Sequence, residues 1–138
     1  MILLDTNVIS EAMRPSPEPA IMAWLNSLNP SELWTCTIVI AEIYSGLDLM
    51  PAGKRQLQLF ERAEVMFERF FGPRILTLDL PAARAYGTVL KVRRAKGAPI
   101  DEMDALLAAT AHAHCATLAT RNAAHFRDCG IQVLNPWQ

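Results

Sequence analysis

Short apolar runs alternate with helical segments along the whole chain, and that alternation limits the folds open to it. The runs are Met1–Leu4, Leu33–Thr37, Ile75–Leu78, Thr117–Thr120 and Gln132–Leu134. Between them the pattern predicts helices over Asn7–Arg14, Ala20–Leu28, Ile38–Leu49, Lys54–Phe70, Pro81–Lys96 and Asp101–His114. Pro15, Pro17 and Pro19 stop the first helix, and Gly53 and Gly97-Ala98-Pro99 break the chain further on. Strands that alternate with helices indicate an α/β domain with a mainly parallel sheet of about five strands. Right-handed crossovers then place the C-terminal ends of the strands on one edge. The length of 138 residues, without repeats or long linkers, fits a single domain over 1–138.

The first strand ends in an acid. Asp5 closes the apolar run Met1–Leu4 and opens Asp5-Thr6-Asn7-Val8-Ile9-Ser10-Glu11. In open α/β sheets ligands bind outside the carboxyl ends of the strands, so a carboxylate there can hold a metal ion or exchange a proton. Glu42 and Asp104 stand at similar element starts. Glu42 sits in Ile40-Ala41-Glu42-Ile43-Tyr44-Ser45-Gly46-Leu47, an acid inside an apolar helical stretch. Charged residues are rarely buried unpaired, so Glu42 either serves a site, points to solvent or pairs with an arginine. Asp101 and Glu102 fit the first turn of a helix through the dipole alone. Asp104 lies further in, before the small apolar run Ala105–Ala109, at the edge of a buried surface.

Three carboxylates that converge cannot all ionise without a cation. Two unit charges ~5 Å apart at an effective dielectric of ~20 repel by about 3 kcal/mol. A hard divalent ion relieves this through oxygen ligands, and Mg²⁺ uses a few carboxylates while keeping several waters. Such a site activates water and stabilises charge on a phosphate. Their placement at element starts would let Asp5, Glu42 and Asp104 meet in one acidic pocket at the C-terminal edge of the sheet. At least one of them should have a raised pKa through like-charge repulsion.

The composition narrows the alternatives. A net charge of −1, from 13 basic and 14 acidic residues, leaves no global footprint for nucleic acid. The cluster Lys91, Arg93, Arg94 and Lys96 reads as the solvated face of a helix end. With 51% apolar residues the chain is globular, and no apolar run approaches a membrane span. No secretory signal is expected at the N-terminus. Cys36, Cys115 and Cys129 form no CxxC pair and read as reduced thiols in a cytoplasmic protein. Without a cysteine or histidine cluster zinc is a poor fit. The run His112-Ala113-His114-Cys115 reads as a polar helix end, because positions two apart do not face each other on a helix. Ser10, Ser45 and His125 form no nucleophile set.

These residues together resemble the PIN-domain ribonucleases, and most closely the VapC-type toxins of bacterial toxin–antitoxin pairs in their FitB-like branch. The resemblance spans the chain. It rests on Met1–Glu11, on Ala41-Glu42-Ile43-Tyr44-Ser45-Gly46 and on Asp104 leading into Ala108-Ala109-Thr110-Ala111. Leu118-Ala119-Thr120-Arg121-Asn122 and the ending Asn135-Pro136-Trp137 complete it. The resemblance implies a three-layer α/β/α sandwich and Mg²⁺- or Mn²⁺-dependent cleavage of RNA, with Asp5, Glu42 and Asp104 as metal ligands. Placement at element starts and resemblance together lead us to expect these three in one acidic pocket. Thr6 and Thr120 would support them through their hydroxyls. It also implies a homodimer and a cognate antitoxin, of ribbon-helix-helix or similar DNA-binding type, that covers the active site.

The chain departs from that pattern at one place. Many PIN domains carry a fourth acid at the position of Asn122, or three residues later, where this chain has His125. Asn122 can support a metal-bound water but contributes no charge; His125 reads as a partly exposed loop residue. The departure motivates a second reading, a catalytically weak PIN-fold binding module acting in a DNA-binding toxin–antitoxin complex. A response-regulator-like receiver also gathers acids at strand ends, but the adjacent acid pair after a first strand is missing. Arg121 could contact a phosphate, cap a helix or face solvent. Finally, Lys54–Phe70 carries Leu57, Leu59, Phe60, Val65, Met66 and Phe67, more apolar surface than one face needs. We expect part of it to stay exposed for a second copy of the chain and an amphipathic antitoxin helix.

Overall fold

The computed structural model describes residues 1–138. Five strands form one parallel sheet in the order β3-β2-β1-β4-β5. They are β1 (Ile2–Leu4), β2 (Leu33–Cys36), β3 (Ile75–Leu76), β4 (Thr117–Ala119) and β5 (Gln132–Leu134). Six helices cover the sheet in a three-layer α/β/α arrangement: α1 (Thr6–Met13), α2 (Pro19–Ser27), α3 (Thr37–Asp48), α4 (Lys54–Val65), α5 (Leu80–Ala95) and α6 (Glu102–Ala113). The chain leaves β1 toward β2 and β3 on one side and adds β4 and β5 on the other. The strand order therefore reverses at β1, and in such sheets ligands bind outside the C-terminal ends of the strands at that point, here β1 and β4.

The core is built from small and branched residues on both faces of the sheet. Leu3, Leu4 and Leu118 from the strands meet Val8, Ile9, Val39 and Ile43 from α1 and α3, all buried. Ala105, Ala108, Ala109 and Ala111 of α6 are also buried, as are Ala82, Ala85 and Val89 of α5. Small side chains at a helix contact allow a short interaxial distance, and α5 and α6 pack along one another.

The boundaries differ from the sequence pattern in a few places. Thr37 opens α3 instead of closing β2, and β3 stops at Leu76, before Leu78. The long helix after Gly53 is α-helical only to Val65 and continues as a π-helical turn over Met66–Phe71. Gly72, at φ +50°, ends it in the left-handed region that glycine enters without a Cβ clash. The apolar surface of this segment divides. Ala63, Phe67 and Phe71 are buried, whereas Leu57 (64%), Val65 (52%) and Phe70 (43%) remain exposed.

Arg93 is the clearest departure from expectation. It is not a solvated cation but a buried one. Its guanidinium donates to main-chain oxygens of Ala98 (Nε, 2.6 Å), His125 (Nη1, 2.8 Å), Arg127 (Nη1, 2.7 Å) and Pro99 (Nη2, 3.2 Å). Arginine's planar fork suits such convergent carbonyls. Lys96, by contrast, is exposed and pairs with Asp128 at 2.9 Å. His112 and His114 do not act together: His112 Nδ1 lies 3.3 Å from Gly130 O, and His114 Nε2 lies 3.3 Å from Asp79 Oδ2.

Candidate metal-binding active site

Asp5 is held in one orientation by three donors. Its Oδ1 accepts the Thr6 main-chain N–H at 2.6 Å, which also caps α1. Its Oδ2 accepts from the Thr120 hydroxyl at 2.6 Å and from Asn7 Nδ2 at 3.1 Å. The sheet supplies this geometry, because Asp5 N donates to Ala119 O at 3.0 Å and so extends the pairing of β1 with β4. Thr120 follows β4 directly and is completely buried. A buried carboxylate requires partners of this kind.

Glu42 is reached through Thr6. The Thr6 hydroxyl donates to Glu42 Oε1 at 3.1 Å, so one residue touches both Asp5 and Glu42. Glu42 is half-buried, midway along α3. Burial pushes its pKa up, the Thr6 hydrogen bond opposes this, and the charges of Asp5, Asp104 and Asp101 raise it further. Asp104, in the first turn of α6, is raised first by burial as well; the His125 contact lowers it, and Asp5 and Asp101 raise it. Two of the three acids thus hold their protons more tightly than usual. Desolvation, not the expected like-charge repulsion, is the larger cause.

The three acids share one electrostatic environment, yet they do not close into a ligand cage. No three His, Cys, Asp or Glu side chains stand close enough together to hold an ion between them. The donor set is nonetheless of the right chemistry for a hard divalent cation: carboxylate oxygens at the C-terminal ends of the strands. Asp101 adds a fourth negative charge to this region. Its place at a helix start had accounted for it without any function.

The neighbours of the acids differ from those expected. His125 is exposed on a short turn, as expected, but it also contacts one of the acids. It lies in the 3₁₀ turn Ala123–Phe126, and its Nδ1 is 3.2 Å from Asp104 Oδ2. Asn122 contributes its main-chain N–H, which donates to the Thr120 hydroxyl at 3.1 Å. Asn7 was overlooked by sequence reasoning: it donates to Thr120 Oγ1 (3.2 Å) as well as to Asp5, and its Oδ1 accepts the Arg121 N–H at 3.1 Å. An amide two residues after the key acid, in the first turn of α1, was the available signal, since Asn side chains bond locally at helix starts.

Two concavities adjoin this edge or lie behind it. A cleft of about 350 Å³ beside Glu42 is lined by Thr6, Ser10, Arg14, Gly46 and Arg55, among others. The larger one, about 690 Å³, holds none of the acids. It is an apolar groove between α1, α2 and the end of α4, lined by Met13, Met22, Leu25, Val65, Met66 and Phe70 among others.

Comparison with known proteins agrees with this architecture. Residues 2–130 match the PIN domain family. The toxin FitB of Neisseria gonorrhoeae is 40% identical over 137 residues, covering 99% of both chains. The VapC ribonuclease Y4jK of Sinorhizobium fredii is 38% identical over 138 residues, covering 100% of this chain and 99% of the relative. A solved structure of FitAB bound to an IR36 DNA fragment superposes with a TM-score of 0.93 at 40% identity, covering 100% of this chain and 96% of the other. The chain belongs to the PIN domain family.

Proposed function

We propose that this chain is the ribonuclease toxin of a toxin–antitoxin pair and cleaves RNA phosphodiesters in the cytoplasm with Mg²⁺ or Mn²⁺ held by Asp5, Glu42 and Asp104. The observation that carries the reading is the Asp5 carboxylate, fixed by three donors at the strand-order reversal and linked through Thr6 to Glu42. The names of the FitB and VapC relatives support the activity and the pairing. A bound divalent ion supplies Lewis-acid stabilisation of phosphate charge and a more acidic water. The chain's own residues do the positioning. Thr120 and Asn7 keep Asp5 Oδ2 in place, Thr6 tethers Glu42 Oε1, and His125 sits against Asp104 Oδ2. Burial raises the pKa of Glu42 and Asp104, so each ionised carboxylate there is destabilised without a cation, and a bound divalent ion would offset that cost. Incubating single-stranded RNA with purified, antitoxin-free protein, with Mn²⁺ and then with EDTA, tests the reading. Equal cleavage under both conditions refutes metal dependence.

A second reading, a binding module with weak catalysis, draws on Asn122 and His125 and on the absence of a closed three-acid cage. It predicts RNA cleavage no faster than that of an Asp5→Asn control. The apolar groove supports the partner: an amphipathic antitoxin helix would cover its Met and Phe lining. A homodimer is the other expected user of exposed apolar surface, with Leu57, Val65 and Phe70 available. Light scattering should give twice the chain mass at micromolar concentration, and a monomer at high micromolar concentration would count against the dimer.

Two stability results follow from the acids. Added Mn²⁺ should raise the melting temperature, by about 2.7 kcal/mol of stabilisation at a hundredfold excess over Kd. Roughly 8 °C is the corresponding shift for a domain of this size. No shift up to millimolar Mn²⁺ would argue against a competent site. The second result concerns pH. A carboxyl with a raised folded pKa favours the folded state below the ordinary carboxylate range and loses that contribution as pH rises through the folded value. Glu42→Gln keeps an oxygen for the Thr6 hydroxyl and removes the charge. In EDTA at pH 7 it should therefore melt above the wild type, and the gap should close on acidification below the ordinary carboxylate range. A gap that widens on acidification reverses the sign and refutes the account.

A further inference from the structure

Arg121 follows Thr120 at the end of β4, on the edge that carries the acids. Its main-chain N–H donates to Asn7 Oδ1, and Asn7 donates to Asp5 Oδ2, each at 3.1 Å. Arg121 is thus two hydrogen bonds from the Asp5 carboxylate. Its side chain is exposed and lies over the Trp137 ring, with Cζ 5.2 Å from the ring centroid. Trp137 is half-buried and independently anchored. Its indole N–H donates to Glu18 Oε2 at 2.8 Å, and its main-chain N–H donates to Asn135 Oδ1 at 3.0 Å. Those two bonds already fasten the C-terminal segment without the Arg121 guanidinium. The guanidinium is also free of any ion pair within 4.0 Å, unlike Arg14 with Glu11 or Lys96 with Asp128.

This arrangement has a use at an acidic site. Carboxylates repel a polyanion, and the net charge of −1 offers no general attraction. The guanidinium of Arg121, whose own main chain is hydrogen-bonded into the Asp5 network, offsets part of that repulsion on the approach to the site. Arginine planes and aromatic rings are also the surfaces on which unpaired RNA bases stack. We propose that Arg121, backed by Trp137, forms a stacking subsite for an unpaired nucleobase of single-stranded RNA next to the phosphodiester at the acids. The proposal rests on the ribonuclease reading above and names a part of its substrate site.

The test is equilibrium binding of a single-stranded RNA of about ten nucleotides to the full-length protein in EDTA, where metal-dependent cleavage is silent. A ribose-phosphate oligomer of the same length without bases is the second ligand. The wild type should prefer the RNA. Arg121→Ala should bind RNA about tenfold more weakly, lose most of the preference over the abasic oligomer and keep its melting temperature. Arg121→Lys retains the charge without the plane and should resemble Arg121→Ala. The proposal is overturned if Arg121→Ala binds RNA as the wild type does, or if Arg121→Lys restores full binding. Equal losses for both ligands would also overturn it, since they mean a phosphate contact only. Cleavage with Mn²⁺ is scored separately. A wild type that shows the base preference but never cleaves refutes the ribonuclease reading and leaves the subsite standing. Intact cleavage with unchanged Arg121→Ala binding refutes the subsite alone.

Discussion

Asp5→Asn should lower Mn²⁺-stimulated RNA cleavage by about three orders of magnitude, the scale set by several kcal/mol of lost charge stabilisation. The fold should survive. Asparagine is as good a helix cap as aspartate, so an amide oxygen turned toward Thr6 N preserves the start of α1. The Thr120 hydroxyl, now a donor to Asp5 Oδ2, already accepts from Asn7 Nδ2 and Asn122 N, so its bond to residue 5 is lost when the amide nitrogen faces it. The Asn7 contact is lost in that orientation. Two lost hydrogen bonds cost about 1 kcal/mol each, and relief of repulsion among the acids offsets part of this. A melting temperature within roughly 5 °C of the wild type is therefore expected in EDTA. The Mn²⁺-induced rise in melting temperature should shrink at the same time, because one charged ligand is gone. A pure Asp5→Asn preparation with the wild-type rate would remove Asp5 from the mechanism.

The parts of this fold that were legible in the sequence are those set by local pattern. Met1–Leu4 and Thr117–Thr120 read as strands because apolar runs of that length, bounded by polar residues, have few other uses. Each ends at a polar residue on the active edge: Asp5 after β1 and Thr120 after β4. Glu42 stood out because an acid among Val39, Ile40, Ile43 and Leu47 needs a reason, and its half-buried place against Thr6 provides one. The sequence was silent where the outcome depends on contacts between distant segments. His125 meets Asp104 across 21 positions, and Arg93 meets His125 and Arg127 across 32 and 34. No periodicity encodes such pairs. Arg93 was misread for a definite reason: basic residues at a helix end have a sufficient explanation in the dipole, and nothing local separates the one that turns inward from its neighbours. The π-helical turn at Met66–Phe71 was likewise invisible, since its apolar spacing is that of an ordinary helix.

Arg93→Met is expected to cost more stability than any change among the acids. The methionine fills much of the same space but donates nothing, so the oxygens of Ala98, Pro99, His125 and Arg127 lose their shared partner. Hydrogen bonds to charged groups contribute about 1.5–3 kcal/mol each, and bonds from one group do not add in full. A net loss of roughly 3 kcal/mol, or about 10 °C in melting temperature, is expected. Arg93→Lys should recover only part of this, because an ammonium cannot span four carbonyls that a planar fork reaches. The site should respond as well. Arg93 fastens Ala98 and Pro99, which lead into α6 and Asp104, to the turn that carries His125. Loosening that junction leaves Asp5, Thr6 and Glu42 in place but frees Asp104 from its partner. Cleavage per folded molecule should therefore fall at a temperature well below the transition. More Mn²⁺ should be needed to reach half the maximal rate, and the Mn²⁺-induced stabilisation should be smaller. Chemical denaturation together with Mn²⁺ titration checks both. A melting temperature within roughly 2 °C of the wild type would show that the four carbonyls find water as readily as they found Arg93. A large loss of stability with unchanged Mn²⁺ dependence would confine Arg93 to the fold and separate it from the acids.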